Sequence, residues 1–450
     1  MGYSNGLFLH PVPQEIFYTH HNSDFSVCVR LPGEEWQDLY EYTVTVDMNN
    51  PQSASMVQFD FSGTVEVRVK LNNGILNSAV IRPLSKNIQP VINGNYLSFF
   101  LDRPVKLSVE VNGDRQHNLH IFANPPETEK PLPGGPGVLY FGPGLHVPED
   151  GYAWYPESNT VMYLAPGAVL RGAVDCTKVE NVRVIGRGIL DHPDHGIGIK
   201  YSKHIEIDGI VILDPRFYSI SVGQSEDIKV RNFKSFSYQG WSDGVDFFCT
   251  SAVDISDVFL RNSDDNIAIY GHRWEFYGDA KNYRITDAIL WGDIAHPINI
   301  GLHGDTSIEG NVIEDLYFSN IDVLDHDEDD RNYQGCVAFS VGDHNLVRNV
   351  VIENLRVENI TEGQLLNLRV LYNEKYCSGP GRGIQNVTFR NVFYNYDGWP
   401  PNPSVVEGYD EIHRIDGVTF ENIVINGKRI RTFEEGNIRI GKFAENILLK

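Results

Sequence analysis

The chain has 450 residues, of which 41% are hydrophobic and 22% charged, a composition typical of a globular protein and not of a disordered one. Its 37 basic and 60 acidic side chains give a formal net charge of −23, which argues against binding to nucleic acids or anionic membranes because both would be repelled. No apolar run reaches the ~18 residues of a membrane-spanning helix. We therefore expect no nucleic-acid and no membrane partner.

The opening residues, Met1-Gly-Tyr-Ser-Asn-Gly, lack the charged and apolar segments of a secretory signal. They predict a cytoplasmic protein, or a secreted one whose signal has been removed. The five cysteines are far apart, odd in number and without Cys-x-x-Cys spacing, which favours free thiols over a disulfide framework or a zinc site. The sequence predicts no cofactor and no metal, and it leaves the oligomeric state open.

Residues 1–125 read as short strands in which apolar and polar residues alternate. Examples are Tyr42-Thr-Val-Thr-Val-Asp, Val65-Glu-Val-Arg-Val-Lys and Val105-Lys-Leu-Ser-Val-Glu-Val. This period of two, interrupted by Asn-Gly turns, predicts half-buried antiparallel strands and hence an N-terminal β-sandwich. The segment 126–137 is too rich in proline and glycine for a regular element, so it predicts a linker between domains.

Residues 138–450 repeat one unit, in which two short apolar strands flank an Asn or Asp. The first apolar residues of the successive units are Val182, Ile205, Ile228, Val253, Tyr283, Leu316, Val350, Val387 and Val418. The spacing starts at 23 residues and grows with insertions, as expected for the coils of a right-handed parallel β-helix. A β-propeller is the alternative, but its repeats are nearer 40 residues. The predicted fold is therefore all-β, a β-sandwich followed by a parallel β-helix.

The densest chemical signal is a group of four acidic residues: Asp243 and Asp246 in Trp241-Ser-Asp-Gly-Val-Asp, and Asp264 and Asp265 in Asn262-Ser-Asp-Asp. Asp243 and Asp264 are about one coil apart, so stacking predicts neighbouring carboxyl groups roughly 5 to 10 Å from each other. Crowded carboxylates do not all ionise, and one that keeps its proton can act as a general acid. This predicts catalysis by paired carboxyl groups, as in inverting glycosidases.

Further candidates for substrate binding lie close to these acids in sequence. His296 follows Asp265 by about one coil and an inserted loop, so we expect it on the next rung. The other candidates are His272, Arg273 and His303, with Trp241, Tyr270, Trp274 and Trp291 as aromatic side chains that could stack on sugar rings.

At these residues the chain resembles the β-helical glycoside hydrolases of family 28, the polygalacturonases, and of family 49, the dextranases and isopullulanases. Trp241-Ser-Asp-Gly-Val-Asp, Asp264-Asp265 and Ala295-His-Pro-Ile-Asn-Ile-Gly are similar to their motifs. The resemblance implies that Asp264 is the general acid, that Asp243 and Asp265 hold and activate water, and that the anomeric configuration inverts. A β-sandwich before the β-helix is the family 49 arrangement.

One departure from the polygalacturonase pattern bears on the substrate. The coil that carries the cationic Arg-x-Lys of polygalacturonases reads Gly335-Cys-Val-Ala-Phe-Ser here, without a cation, although Arg273 or Arg369 could substitute. A poly- or oligosaccharide of neutral α-glucan type is therefore the first expectation, and a galacturonide the alternative. A calcium-dependent polysaccharide lyase and a non-catalytic glycan-binding β-helix are the other two alternatives.

Overall fold

A computed structural model describes residues 6–450, and the first five residues of the opening segment lie outside it. Apart from one 3-10 turn at Leu84–Lys86, every regular element in the described part is a β-strand, so the all-β prediction is confirmed. Among these residues there is no helix of the length and apolarity needed to cross a membrane.

The N-terminal strands form a six-stranded and a five-stranded sheet, in the orders β1-β5-β11-β10-β7, with β4 also paired to β5, and β3-β2-β6-β9-β8. The apolar side chains of their alternating strands, such as Val27, Val67 and Val69, are buried in a shared core. The strands are β1 (Gly6–Leu9), β2 (Phe25–Arg30), β3 (Gln37–Asp38), β4 (Tyr42–Val46), β5 (Gln52–Ser62), β6 (Val65–Leu71), β7 (Ala79–Arg82), β8 (Val91–Asn93), β9 (Tyr96–Leu101), β10 (Val105–Val111) and β11 (Asp114–Asn124).

The remaining strands wind into a parallel β-helix, whose early coils have three strands each. The coils stack into an 18-stranded sheet that covers two faces and an 11-stranded sheet that forms the third. The domain limits at residues 125 and 137 stay a prediction.

The strands of the first coils are β12 (Val138–Phe141), β13 (Gly144–His146), β14 (Ala153–Trp154), β15 (Val161–Leu164), β16 (Ala168–Leu170), β17 (Ala173–Thr177), β18 (Glu180–Gly186), β19 (Ile189–Asp191), β20 (Ile197–Lys200), β21 (Lys203–Asp208), β22 (Val211–Leu213), β23 (Ile220–Gly223), β24 (Glu226–Arg231) and β25 (Lys234–Phe236). The strands of the later coils are β26 (Val245–Phe248), β27 (Ser251–Asn262), β28 (Ile267–Tyr270), β29 (His272–Arg273), β30 (Phe276–Tyr277), β31 (Ala280–Gly292), β32 (Ile298–Ile300), β33 (Val312–His326), β34 (Val337–Val341), β35 (Leu346–Val357), β36 (Leu366–Val370), β37 (Gly383–Tyr394), β38 (Ser404–Glu407), β39 (Arg414–Ile425), β40 (Lys428–Arg429), β41 (Ile438–Ile440) and β42 (Ala444–Leu449).

The register confirms the repeat read from the sequence. All nine first apolar residues, from Val182 to Val418, are direct partners on successive rungs and point into one continuous apolar interior. The Asn at the bend between strands has left-handed backbone angles in coil after coil, with φ of 58° at Asn320, 55° at Asn354 and Asn391, and 54° at Asn422. Their amides also bond from rung to rung, Asn391 to Asn354 at 3.0 Å and Asn422 to Asn391 at 2.8 Å.

The sandwich covers the face of the β-helix that includes β16, β19, β22 and β25. Apolar residues of β4, β5 and β11, such as Val44 and Phe122, pack on Val211 and Phe259 of the helix. The backbone N–H of Met48 donates to Ser263 Oγ at 3.1 Å, so the sandwich also holds the segment directly before Asp264. The sandwich thus fixes one side of the acidic loops, while the 11-stranded sheet presents its outward side chains as the floor of a groove.

Candidate active site

The acidic residues lie where the strands of the 11-stranded sheet begin. Strands β23, β26, β28 and β32 are paired in register. Two residues before the paired Ile220, Val245, Ile267 and Ile298, the same register places four residues on successive rungs: Tyr218, Asp243, Asp265 and His296. We call this row the start edge of the groove. Gly244 permits this stacking, because a Cβ there would lie only 2.4 Å from the carbonyl oxygen of Asn266. The sequence spacing predicts neighbouring rungs for Asp243, for the Asp264–Asp265 pair and for His296, but not the place of Tyr218.

One carboxylate oxygen from each of Asp243, Asp264 and Asp265 lies within 4.8 Å of the others. The roughly 5 to 10 Å predicted from the sequence refers to whole carboxyl groups, and their nearest oxygens come closer because rungs are only about 4.8 Å apart. A water molecule hydrogen-bonded at about 2.7 Å to two of the oxygens fits such a gap.

Asp265 is fully buried in a cage of donors. Its Oδ1 accepts from the backbone N–H of His296 at 3.1 Å and from His296 Nδ1 at 2.6 Å, while Oδ2 accepts from Asn299 Nδ2 at 2.8 Å and the Tyr270 hydroxyl at 3.1 Å. Burial opposes its charge, yet the pairing with His296 and these hydrogen bonds lower the pKa of Asp265 below its usual value. A carboxylate has about four lone-pair positions. In the ionised Asp265 these four donors occupy all of them.

Asp264 is the one acid of the four that reaches the surface of the groove. Its Oδ2 accepts from the backbone N–H of Trp241 at 2.9 Å and its Oδ1 from the N–H of Asp265 at 3.0 Å. Burial, followed by repulsion from the Asp265 carboxylate, raises the pKa of Asp264 to about 7. Asp264 therefore keeps a proton well into the pH range in which Asp265 is charged.

Asp243 and Asp246 lie close enough to interact electrostatically at the bottom of the groove. Burial and the neighbouring carboxylates raise the pKa of both residues well above the usual value. Asp243 Oδ1 and both oxygens of Asp246 are buried without a hydrogen-bond partner in the described chain. These two acids thus have buried acceptor atoms whose hydrogen-bonding capacity the described chain does not use.

His296 lies beneath the carboxylates and is completely buried. Its Nδ1 donates to Asp265, and its Nε2 donates to the carbonyl oxygen of Tyr333. Burial disfavours the charged ring, but Asp265 raises the pKa of His296 to about 9. With both ring nitrogens engaged by protein, His296 positions an acid, which is one of the two roles, a hydrogen bond to an acid or to a sugar hydroxyl, expected for it from the sequence.

The opposite margin of the groove, where the strands end, contains Gly223, Phe248 and Tyr270, and we call it the end edge. The hairpin β29–β30 follows Tyr270 directly. Its Arg273 donates through Nη1 to His303 Nε2 at 3.0 Å, and burial followed by Arg273 lowers the pKa of His303 to about 3, so His303 is a neutral acceptor.

The other predicted residues have different environments. Trp241 is 56% exposed beside Asp264, and Trp274 is 53% exposed above Phe248, so both present a ring surface to the groove. The His272 ring packs near Tyr277, and its charged neighbours are Asp305, Asp343 and Arg273.

Trp291 is not at the groove. It is buried at the sandwich interface under the Arg261 guanidinium, 3.9 Å from the ring centre, so it takes the core position that the sequence left open as the alternative to stacking on sugar. The binding roles of the remaining candidates stay predictions.

Sequence reasoning missed three residues of the site. Asn299 donates to Asp265 and, at 2.9 Å, to the hydroxyl of Tyr333, and Tyr218 occupies the rung before Asp243. Asn299 could have been found from its place three residues after His296 in a predicted strand. Tyr333 could not, because it lies in a loop whose path the repeat does not determine.

Two cavities lie along the same groove. One, of about 720 Å³, extends towards the C-terminal coils and is lined by Asn332, Arg369, Tyr372, Glu407 and Tyr409, among others. The other, of about 440 Å³, lies towards the N-terminal coils. Its lining includes His195, Lys200, Tyr218, Phe248 and Trp274.

Two side-chain clusters have the spacing of metal ligands. Asp243, Asp264 and Asp265 form one cluster, and His20, Asp191 and His192 form the other, at the junction of sandwich and helix. Calcium needs six to eight oxygen ligands, and the occupied lone pairs of Asp265 leave the first cluster poorly suited to it. In the second, Asp191 already bonds to His20, His192 and Arg171, at 3.0, 2.6 and 3.0 Å.

Comparison with known proteins gives consistent matches. Residues 187–440 match the family model for glycosyl hydrolases family 28. The isopullulanase of Aspergillus niger is 24% identical in an alignment 383 positions long that covers 70% of this chain and 63% of that protein. A putative galacturan 1,4-alpha-galacturonidase A of Aspergillus niger is 22% identical in an alignment 223 positions long that covers 43% of this chain and 49% of that protein. The chain thus spans less than two thirds of the length of these curated relatives.

Two solved structures share the fold. Dex49A from Penicillium minioluteum has a TM-score of 0.62 at 16% identity and covers 96% of this chain and 95% of its own. The family 28 exopolygalacturonase of Yersinia enterocolitica has a TM-score of 0.51 at 11% identity and covers 91% and 98%. At these identities the likeness concerns the β-helical fold.

Proposed function

The chain belongs to glycosyl hydrolases family 28, and we propose that it is an inverting hydrolase of neutral α-glucans with Asp264 as its general acid. The observation that carries this proposal is the pairing of Asp264, partly exposed and with a pKa raised to about 7, with Asp265, whose lowered pKa leaves it ionised while Asp264 still holds its proton. An acid whose pKa is close to neutral both holds its proton and releases it readily.

The proposed reaction is a single displacement. Asp264 gives its proton to the glycosidic oxygen, which leaves with the electron pair of the broken bond to the anomeric carbon. A water held beside Asp243 attacks that carbon from the opposite side, and Asp243 takes the proton of the water. Asp265 supplies the negative charge that stabilises the positively charged transition state and raises the pKa of Asp264.

The donor cage of Asp265 supports inversion over retention. A retaining enzyme needs an ionised carboxylate with a free oxygen to bond the anomeric carbon. Asp265 is ionised but has all its lone pairs engaged. Asp243 has an oxygen without a partner in the described chain, but its raised pKa means that it keeps a proton to a higher pH than Asp265 does, and a protonated carboxyl does not attack carbon; in its ionised form it can take the proton of the attacking water.

The charges of the groove support a neutral substrate. Arg369, on the rung after Ser340, is bonded to Asn367 at 3.0 Å and lies 3.7 Å from Glu407, which offsets its charge. Arg273 is adjacent to Asp246 and His303. Neither arginine is a free cation, and the net charge of −23 repels an acidic polymer.

The test is hydrolysis of dextran, pullulan and polygalacturonate by the purified protein, measured as new reducing ends. We expect kcat/KM to be higher for an α-glucan than for polygalacturonate. Arg369→Ala should leave α-glucan hydrolysis little changed, because no carboxylate has to be bound.

The second candidate is a galacturonide, favoured by the two arginines in the groove. It would replace the α-glucan if polygalacturonate were the best substrate and Arg369→Ala abolished its hydrolysis. No new reducing ends from any of the three polymers would contradict both candidates.

A further inference from the structure

Three side chains meet across the groove directly beside the acids. Tyr218 comes from the start edge, one rung before Asp243, while Arg273 and Trp274 come from the hairpin at the end edge. The Tyr218 and Trp274 rings pack edge to face, with their centres 5.7 Å apart, and the Arg273 guanidinium lies close to the Tyr218 hydroxyl. We call these three residues the barrier.

The barrier spans the whole width of the sheet. Tyr218 and Gly223 are five residues apart along one extended strand, which is about 16 Å at 3.3 Å per residue. Long side chains from both edges are needed to close such a width, and these three have the required length. The Asp246 carboxylate interacts electrostatically with both the Tyr218 hydroxyl and the Arg273 guanidinium, so the barrier lies next to the acids.

The hairpin that carries two of these residues is firmly seated. Its Phe276 is buried, and its ring lies so close to Gly223 that a Cβ at Gly223 would be 2.6 Å from it. The same ring stacks on Phe248, with centres 6.2 Å apart and planes at 7°, and packs on Tyr201 at 5.2 Å. The barrier is therefore a fixed wall, with the 440 Å³ cavity behind it and the 720 Å³ cavity on the open side.

We propose that the barrier ends the sugar-binding groove, so that the enzyme removes sugars from one end of a chain and does not cut in the middle. This inference rests on the proposed function. We expect a polymer to extend from the acids past Tyr333 and Tyr376 towards the cavity at Tyr372, and only one terminal sugar to fit on the other side, because Tyr218 stands a single rung of about 4.8 Å before Asp243.

The order of the acids gives the polarity of the chain. Asp243, which holds the attacking water, is one rung nearer the barrier than Asp264, which protonates the leaving oxygen. The attacked sugar thus lies at the barrier and the leaving chain on the open side. The terminal sugar that is removed is therefore the non-reducing one.

The test uses oligosaccharides of the best polymer substrate, tagged at the reducing end. The wild-type protein should produce tagged products that shorten by one sugar at a time, and the viscosity of the polymer should fall slowly relative to new reducing ends. Trp274→Ala and the double variant with Arg273→Ala should open the groove to the cavity behind, giving tagged fragments of mixed length and a severalfold larger viscosity loss per bond cleaved. Trp36→Ala is the matched control, since Trp36 lies in the sandwich against Arg30 and Arg68.

Each outcome decides a separate point. Tagged fragments of mixed length from the wild-type protein would overturn the barrier while leaving the hydrolase in place, and a tagged single sugar as first product would overturn the polarity. Variants that fold and still shorten chains by one sugar would also overturn the barrier. Absence of all hydrolysis would overturn the proposed function, and this inference with it.

Discussion

Asp264→Asn is expected to lower turnover by roughly 10³-fold, within the 10²- to 10⁴-fold range of general acid catalysis. The amide keeps the shape of the side chain, but its single oxygen can accept from only one of the two backbone N–H groups, of Trp241 and Asp265, that the carboxyl binds, and it has no acidic proton to give. We therefore expect kcat to fall by far more than KM changes, and the thermal unfolding temperature to fall only by the few degrees that one lost hydrogen bond costs. Steady-state kinetics on the best substrate and thermal denaturation measure the three quantities.

The matched control is Asp254→Asn on β27, which makes the same chemical change on another face of the helix. It should turn over like the wild-type protein. The wild-type kcat/KM should also decline as the pH rises through about 7, because Asp264 then loses its proton. Asp264→Asn with wild-type turnover, or a profile that stays level to pH 9, would reject Asp264 as the acid.

His296→Gln is expected to cost about 3–5 kcal/mol of unfolding free energy, since it removes one partner of a buried ion pair and leaves the Asp265 charge uncompensated. Turnover should fall as well, because Asp265 then loses its fixed orientation and its ionisation. Asp265→Asn should be similarly destabilising. In the double variant the two losses should not add, because the two residues interact directly and both amides are neutral. Urea denaturation of all four proteins measures this coupling.

The pH dependence of this stability follows from the direction of both shifts. The folded pKa of His296 is about 9, above its unfolded value of about 6.5, so its contribution is complete below pH ~6.5 and is lost as the pH rises through about 9. Asp265 has a lowered pKa, so its contribution exists above pH ~3.9 and is lost as the pH falls through the folded value. The stability difference between the wild-type protein and His296→Gln should be largest near pH 4–6.5 and smaller at pH 9.

An exposed pair provides the control for this experiment. His204 Nδ1 lies 2.7 Å from Asp227, but the side chains are 56% and 34% exposed. His204→Gln should therefore change the unfolding free energy by about 0–1 kcal/mol. Equal costs for the two histidine substitutions, or a cost at His296 that does not depend on pH, would contradict the buried ion pair.

The repeat was predictable because a β-helix places chemically equivalent residues on adjacent rungs. Once Val182, Ile205 and Ile228 are aligned, the rest of the register follows, and with it the closeness of Asp243 to Asp265. The alternation of the N-terminal strands is equally direct evidence of half-buried sheets. The β-helix repeat and the alternation in the sandwich both follow from the spacing of apolar residues, which can be read directly from the sequence.

Loops and side-chain directions were not predictable in this way. The repeat does not say that the 271–279 hairpin folds back until Phe276 touches Gly223, nor that Tyr333 reaches Asn299. It also does not show whether a histidine on the correct rung points outwards, and His296 points beneath the acids. Trp291 could not be assigned to the groove or to the core from sequence, because its closeness in sequence to the acids does not show which face of the coil it occupies.

The most direct test of the account is proton NMR of the first sugar released from an α-linked substrate. The account predicts that the new reducing end first appears as the β-anomer and then equilibrates, because water attacks from the side opposite to the leaving oxygen. A first product in the α-configuration, or one with a carbon–carbon double bond formed by elimination, would contradict the proposed single displacement.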